Sequence, residues 1–206
     1  MTRNSRYRSY REDLNIFQSF TDLMTNAFLI LSFFLLLALL HSWELNRKLQ
    51  SASPIVIDEK SGNFKFSSGS AELNRELKTY IQKQIIPAIE KTTRERSIDF
   101  IQVIGHTDGQ ALQQNGNLDK NIESVARNTR SVGTLIPGSN TDLGLMRALA
   151  VIQEIQKSNK LKNIKFRAYS AGQLYLPSGK LALVDRSADS TRRRIEIRFI
   201  PPGKKQ

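Results

Sequence analysis

The sequence predicts an α/β protein in two parts, a single N-terminal transmembrane helix followed by an α/β sandwich. Residues 23–43 (LMTNAFLILSFFLLLALLHSW) run for 21 positions without Asp, Glu, Lys or Arg. Beyond residue 50, segments with strand and helix periodicity alternate, with no internal repeat or low-complexity tract. The full length of 206 residues accommodates one domain with a sizeable core and an appendage.

At 1.5 Å per residue the apolar run reaches roughly 30 Å, the thickness of a hydrocarbon core. Trp43 suits an interface, and Glu44, Arg47 and Lys48 lead the chain into water. A cleavable signal peptide is the alternative; its apolar region would normally span about 7–15 residues, and Ser51-Ala52-Ser53 is a weak cleavage site. Arg3, Arg6, Arg8 and Arg11 crowd the first eleven residues, which places the N-terminus in the cytoplasm and the bulk of the chain outside the inner membrane. The expected organisation is a cytoplasmic tail at 1–13, the membrane helix and a short linker at 14–50, a folded domain at 54–200 and a tail at 201–206.

Asp22 makes this helix more than an anchor. It lies at the cytoplasmic edge of the apolar run, after the uncharged LNIFQSFT, where an ionisable group is costly unless it faces protein or water. Asn15, Gln18, Ser19, Asp22, Thr25 and Asn26 recur three or four apart and line one helix face. Such a stripe suits an ion-carrying carboxylate, with Gln18, Thr25 and Asn26 hydrogen-bonding its two states or helping to hold sodium. One helix cannot enclose an ion path, so a partner membrane protein must supply the other wall. The plainer alternative is that Asp22 marks the membrane surface and its stripe is solvated.

In the exported part, 54–66 alternate as strand, turn and strand with Gly62-Asn63 at the turn. Residues 71–85 have helical spacing at Leu73, Leu77, Tyr80, Ile81 and Ile85, and Pro87 then interrupts or kinks the helix. SIDFIQVIG (97–105) reads as a buried strand, LGLMRALAVIQEIQK (143–157) as an amphipathic helix capped by Thr141 or Asn140, and 164–170 and 193–200 as strands. The stretch 110–139 is a long polar insertion with room for a short helix near Leu118–Arg130; excursions of that length in compact domains are usually functional or mobile.

Of the net charge of +12, residues 1–50 contribute +2 and the rest +10, so a polyanionic partner must be considered. Nucleic acid, anionic lipid and cell-wall polymers all fit on charge, but the arginines lack the interleaved aromatics of a nucleic-acid surface. There is no cysteine, and His41 and His106 lie far apart, so no metal site is expected. No catalytic triad or phosphate loop supports an enzyme, and no cofactor is expected.

Several segments together resemble the OmpA-like peptidoglycan-binding domain. FSSGSAEL (66–73) is similar to the family's strand end and helix start, and VIGHTDG (103–109) to its G-H-T-D loop. NTDLGLMRA (140–148) follows N-x-x-L-S-x-x-R-A with Gly144 in place of Ser, and RRRIEIRF (192–199) follows the closing N-R-R-V-E-I strand with Arg192 in place of Asn. The resemblance covers about 54–200 and implies a site for the diaminopimelate of the peptidoglycan stem peptide. It implies that Asp108 takes the ligand's ammonium and Arg147 its carboxylate, with Asn140 and the backbone around Thr107 and Leu143 adding hydrogen bonds. A zwitterionic end needs one anion and one forked guanidinium, so the chemistry agrees. Asp108 also reads as an ordinary turn residue before Gly109, Arg147 as a solvated helix residue, and His106 as a structural hydrogen-bonder.

SFTDLMTNAFLILSFFLLL (19–37, after Gln18) resembles the membrane helix of flagellar-type stator B subunits, whose pattern is aromatic-x-D-L-M-T. An Asp-bearing helix joined to an OmpA-like domain is the architecture of that family, which includes the B subunits of anti-phage Zorya systems. The resemblance implies a homodimer, five multi-span A-type subunits around two copies of this chain, and ion flow past Asp22. Flagellar members usually carry a long segment between membrane and wall-binding domain, whereas here about ten to thirteen residues separate them; a compact defence-type motor fits better. A passive tether between membrane and wall, without ion transport, is the alternative function.

Overall fold

The computed structural model describes residues 4–49, 53–58, 66–67, 69–112 and 114–203, and in the first helix the side chains of residues 17–46. It divides into two compact units, Met1–Lys48 and Leu49–Gln206.

The first unit is one helix, α1 (Asn4–Leu49). Its stretch Phe17–Asn46 is long and apolar enough to cross a membrane. Leu, Phe, Ala and Met dominate its apolar centre and no Gly or Pro interrupts it, so the helix passes unbroken through the polar WELNRKL. Arg3 lies outside the described residues, as do the side chains of Arg6, Arg8, Arg11 and Asn15.

The second unit contains β1 (Ile55–Asp58), α2 (Arg75–Tyr80), α3 (Ile86–Glu95), β2 (Phe100–His106), α4 (Leu118–Ala126), α5 (Asn140–Lys157), β3 (Lys165–Gly172) and β4 (Arg194–Ile200). The strands form one sheet in the order β1-β4-β2-β3. β2 and β3 run parallel, joined by a crossover through α4 and α5, while β4 is antiparallel to both of its neighbours. Alternation along β4 decides the two faces of the sheet. Ile195, Ile197 and Phe199 join Ile101 and Val103 of β2 in the core, against Leu77, Ile81, Ile85, Ile86 and Ile89 from the α2–α3 helix and Val151 and Ile155 of α5. Each such fully buried aliphatic side chain contributes roughly 1.5–3 kcal/mol. The α/β sandwich expected from the sequence is the fold observed.

Three boundaries differ from expectation. The helix expected from residue 71 starts at Arg75, because Asn74 caps it: Leu77 N donates to Asn74 Oδ1 at 2.8 Å. Ala71 and Leu73 enter the core from the segment before it. Pro87 does not stop the helix. A π-helical turn at Ile81–Ile85 lies just ahead of it, widening the ladder where the proline has no N–H and its ring crowds the preceding turn. The cap of α5 is Ser139 rather than Asn140 or Thr141: Asp142 N donates to Ser139 Oγ at 3.1 Å, and Asp142 Oδ2 accepts from Gly138 N at 2.9 Å. Ser139 is extended and Asn140 already helical, so only the serine hydroxyl meets the free amides of the first turn. The second strand expected within 54–66, with its Gly62-Asn63 turn, falls mainly on residues 59–65, outside the described residues.

Candidate functional site

The G-H-T-D segment closes β2. Gly105 faces α5 at Gly144, and a Cβ on Gly105 would overlap the Gly144 carbonyl. The substitution of Ser by Gly at 144 is part of this close crossing, since a Cβ there would collide with Ser170 Oγ and lie 2.8 Å from Gly105 O. Thr107 N donates to Gly172 O at 2.9 Å, which holds the loop to β3. The Thr107 side chain is buried, and its hydroxyl has no hydrogen-bond partner among the described residues.

Asp108 is buried beneath the 185–193 segment. Its Oδ2 accepts from Arg193 Nη1 at 2.6 Å and from Asp189 N at 3.3 Å. That segment is shaped by its own carboxylates: Ser187 N donates to Asp185 Oδ1 at 2.8 Å, and Thr191 N to Asp189 Oδ1 at 2.9 Å. The Thr191 hydroxyl holds Asp189 below the ordinary carboxylate range, against its slight burial. Gly109 permits the approach, because a Cβ there would overlap the Asp185 carbonyl.

Asn140 Nδ2 donates to Gln110 O at 2.8 Å, tying the start of α5 to the loop after Asp108. Leu143 is buried one turn further along. Thr107, Asp108, Asn140 and Leu143 thus gather where the end of β2 meets the first turn of α5. Arg147 is directed elsewhere. It is 1% exposed, its Nε donates to Ser70 O at 3.0 Å, Nη2 donates to Ser67 O at 3.4 Å, and its guanidinium lies 4.6 Å from the Phe66 ring centroid. This arginine is neither solvated nor open to a ligand in this conformation; it pins Phe66, Ser67 and Ser70.

No protein-family model matches the chain, and no curated protein matches it. Solved structures do. A crystal structure of the periplasmic domain of Helicobacter pylori MotB superimposes with a TM-score of 0.50, at 19% identity over 75% of this chain and 76% of that one. The second unit has the fold of the MotB periplasmic domain. A putative MotB-like protein from Desulfovibrio vulgaris matches at 15% identity over 72% of this chain and 75% of its own, with a TM-score of 0.43. The peptidoglycan-associated lipoprotein of Burkholderia pseudomallei matches at 17% identity over 66% and 87%, with a TM-score of 0.39.

On the sheet face away from the helices, this domain carries an ionic cluster built on β4. Glu196 is buried on β4, between β1 and β2. Arg194 Nε and Nη2 each lie 3.0 Å from Glu196 Oε1, and Arg198 Nε and Nη2 reach Oε2 at 3.1 and 2.6 Å. His106 Nε2 stands 3.1 Å from Oε1, but off the line of a well-directed hydrogen bond, so the pair is a close electrostatic contact. His106, Arg198 and Arg194 hold the Glu196 carboxyl well below its usual range, outweighing the burial that pushes it up. The alternation of charge in RRIEIRF was the signal that could have found the cluster, since period two puts Arg194, Glu196 and Arg198 on one face.

In the first unit, Gln18, Asp22, Thr25 and Asn26 lie on α1 in exposed positions. Thr25 Oγ1 donates to Thr21 O at 2.7 Å, and Thr21 Oγ1 donates to Phe17 O at 2.8 Å. Both hydroxyls thereby satisfy themselves within the helix, as threonines in apolar surroundings do. Among the described residues no cluster of three or more His, Cys, Asp or Glu side chains is arranged to hold a metal.

Proposed function

We propose that this chain is the peptidoglycan-anchored B subunit of an ion-driven stator complex in a bacterial inner membrane. The observation that carries the reading is the joining of two parts, a membrane-length helix bearing Asp22 on a polar stripe and a domain with the MotB periplasmic fold. The helix crosses the membrane once, N-terminus inside, with the domain in the periplasm. Two copies sit within five multi-span A-type subunits, whose walls complete the path for protons or sodium past Asp22. Ion passage turns that ring relative to B subunits held at the wall, so the reaction is transport and not bond chemistry. Because α1 ends at Leu49 and β1 begins at Ile55, the complex is of the compact kind, and anti-phage defence of the Zorya type is the proposed output.

At the wall, Asp108 takes the ammonium of a stem-peptide diaminopimelate beside the Thr107 hydroxyl, with Asn140 and Leu143 completing the rim. Arg147 meets the ligand carboxylate by exchanging the Ser67 and Ser70 carbonyls for it, which couples binding to movement of the 66–70 segment.

Asp22→Asn tests the motor. It keeps the size and hydrogen-bonding capacity of the side chain but removes reversible charge. The variant protein is expected to reach the membrane and assemble at normal levels while ion flux in vesicles containing the A-type partner falls to background. Wild-type flux would leave a passive tether as the function, because removing a costly charge near hydrocarbon is neutral or stabilising for an anchor.

A further inference from the structure

Apart from the Gln110 carbonyl that Asn140 holds, the 110–139 insertion takes no part in the reading above, yet its described residues are wired firmly to the domain. Asn117 Nδ2 donates to Thr134 O at 3.0 Å, and Asn117 Oδ1 accepts from Ile136 N at 2.7 Å. Gln153 of α5 donates through Nε2 to Val125 O and Arg130 O, each at 3.0 Å, and accepts from Val132 N at 3.3 Å. Residues 117–136 are therefore held in place, and they raise a wall that continues to Pro137, with Ser131 at its start, facing the 69–73 segment across α5.

Between the two walls lies a cleft of about 430 Å³, within the range of small-ligand sites. Its floor is apolar, from Leu73, Val132, Leu135, Met146 and Ala150. Its charges are mixed, Glu72 and Glu154 against Lys78 and Lys157. Past Ser131, Gln153 and Lys157 it adjoins a second hollow of about 480 Å³ beside Asn128–Arg130, so an extended molecule fits better than a compact one. Thr107, Asp108, Asn140, Leu143 and Arg147 do not line either hollow, so the cleft and the wall site share no ligand-facing side chain, and they meet only at Ser70, which borders the cleft and holds Arg147.

Glu154 is the informative group. It is 3% exposed, accepts from Gln82 Nε2 at 2.7 Å, and pairs with Lys157 Nζ at 3.0 Å. The lysine partner is two-thirds exposed, so its ammonium can leave while the carboxylate stays in place. A second ammonium entering the cleft can take that position and free Lys157. The two acids disfavour a polyanion, and no aromatic side chain among the described residues lines the cleft as a platform for a sugar ring. An apolar ligand would strand four ionic groups. We propose that this cleft binds a short zwitterionic peptide, its ammonium on Glu154 in exchange for Lys157 and its carboxylate on Lys157 and Lys78.

The test uses the full-length protein in detergent micelles with Asp108→Asn in the background, which weakens the proposed wall site by about ten- to hundred-fold, so that the Glu154 and Gly133 variants below report on the cleft. Calorimetric titration with two probes, Ala-γ-D-Glu-Lys and all-L Ala-Glu-Lys, is expected to show saturable binding. Adding Glu154→Gln weakens it about ten- to hundred-fold, the loss of a charge-assisted contact. Adding Gly133→Trp, at an exposed position on the rim, blocks it without touching the acid, which keeps the test sound if Glu154→Gln disturbs folding. Preference for the γ-D-Glu probe assigns the ligand to wall fragments, and preference for the all-L probe to ordinary peptides. Absence of saturable binding at millimolar probe, or undiminished binding in the Gly133→Trp protein, overturns the proposal.

Discussion

Replacing Arg147 by Ala separates two jobs that the sequence pattern alone merges. Among the described residues the side chain donates to Ser70 O at 3.0 Å and, over a longer distance, to Ser67 O at 3.4 Å, and makes a cation–π contact with Phe66 at 4.6 Å. A hydrogen bond from a charged donor contributes about 1.5–3 kcal/mol and a desolvated cation–π contact about 0.5–2 kcal/mol. The longer bond adds less, and relief from burying the guanidinium offsets part of the loss. The net cost of Arg147→Ala is therefore about 3 kcal/mol. For a unit of this size that lowers Tm by about 6–12 °C, measurable by circular dichroism on the fragment Leu49–Gln206. Arg147→Lys keeps the charge but not the fork, and is expected to fall between the two. A Tm for Arg147→Ala within about 2 °C of wild type, at the scale of ordinary surface changes, would refute the pinning role and leave the arginine to the ligand alone.

Further outcomes follow from the same geometry. Asp108→Asn is expected to weaken sedimentation with purified sacculi by about ten- to hundred-fold through loss of one charge-assisted contact; undiminished sedimentation of the folded variant counts against the wall site. Glu196 has a depressed folded-state pKa, so its stabilisation is full above its unfolded value near 4.3 and is lost as pH falls from there toward the folded value. Denaturant titrations across pH 5 to 2 should therefore show a steep acid limb in the wild type and a flatter one in Glu196→Gln, which also loses about 3–5 kcal/mol near neutral pH by leaving Arg194 buried without its anion. Equal acid limbs in the two proteins would place the titrating group elsewhere. Gly144→Ser restores the residue of the resembled pattern, yet it should destabilise the domain by about 1–3 kcal/mol in urea, because the added atoms collide with Ser170 and Gly105; a neutral result would mean that α5 can lift from the sheet at no cost.

The sequence by itself determined what depends on neighbours along the chain. A 21-residue uncharged run and a polar stripe through Asp22 are local facts, and so are the period of two in RRIEIRF and the apolar spacing of α5. The G-H-T-D and N-x-x-L-x-x-x-R-A segments are likewise contiguous in the chain, at the end of β2 and the start of α5. What only the tertiary structure decided is which groups those residues meet. Asp108 and Arg193 are 85 positions apart, Arg147 and Ser70 are 77, and Gln82 and Glu154 are 72. Their pairing depends on strand order and register, which periodicity leaves open, since a one-residue slip sends every side chain to the opposite face. In the sequence Arg147 also reads as a solvated helix residue, and it becomes a buried pin because the carbonyls of Ser67 and Ser70 come within its reach. The insertion reads as a polar excursion and becomes one wall of a cleft because Gln153, on a different element, supplies both donor and acceptor to its backbone. In each case a buried polar group had to find a partner, and only the folded chain brings that partner within hydrogen-bond reach.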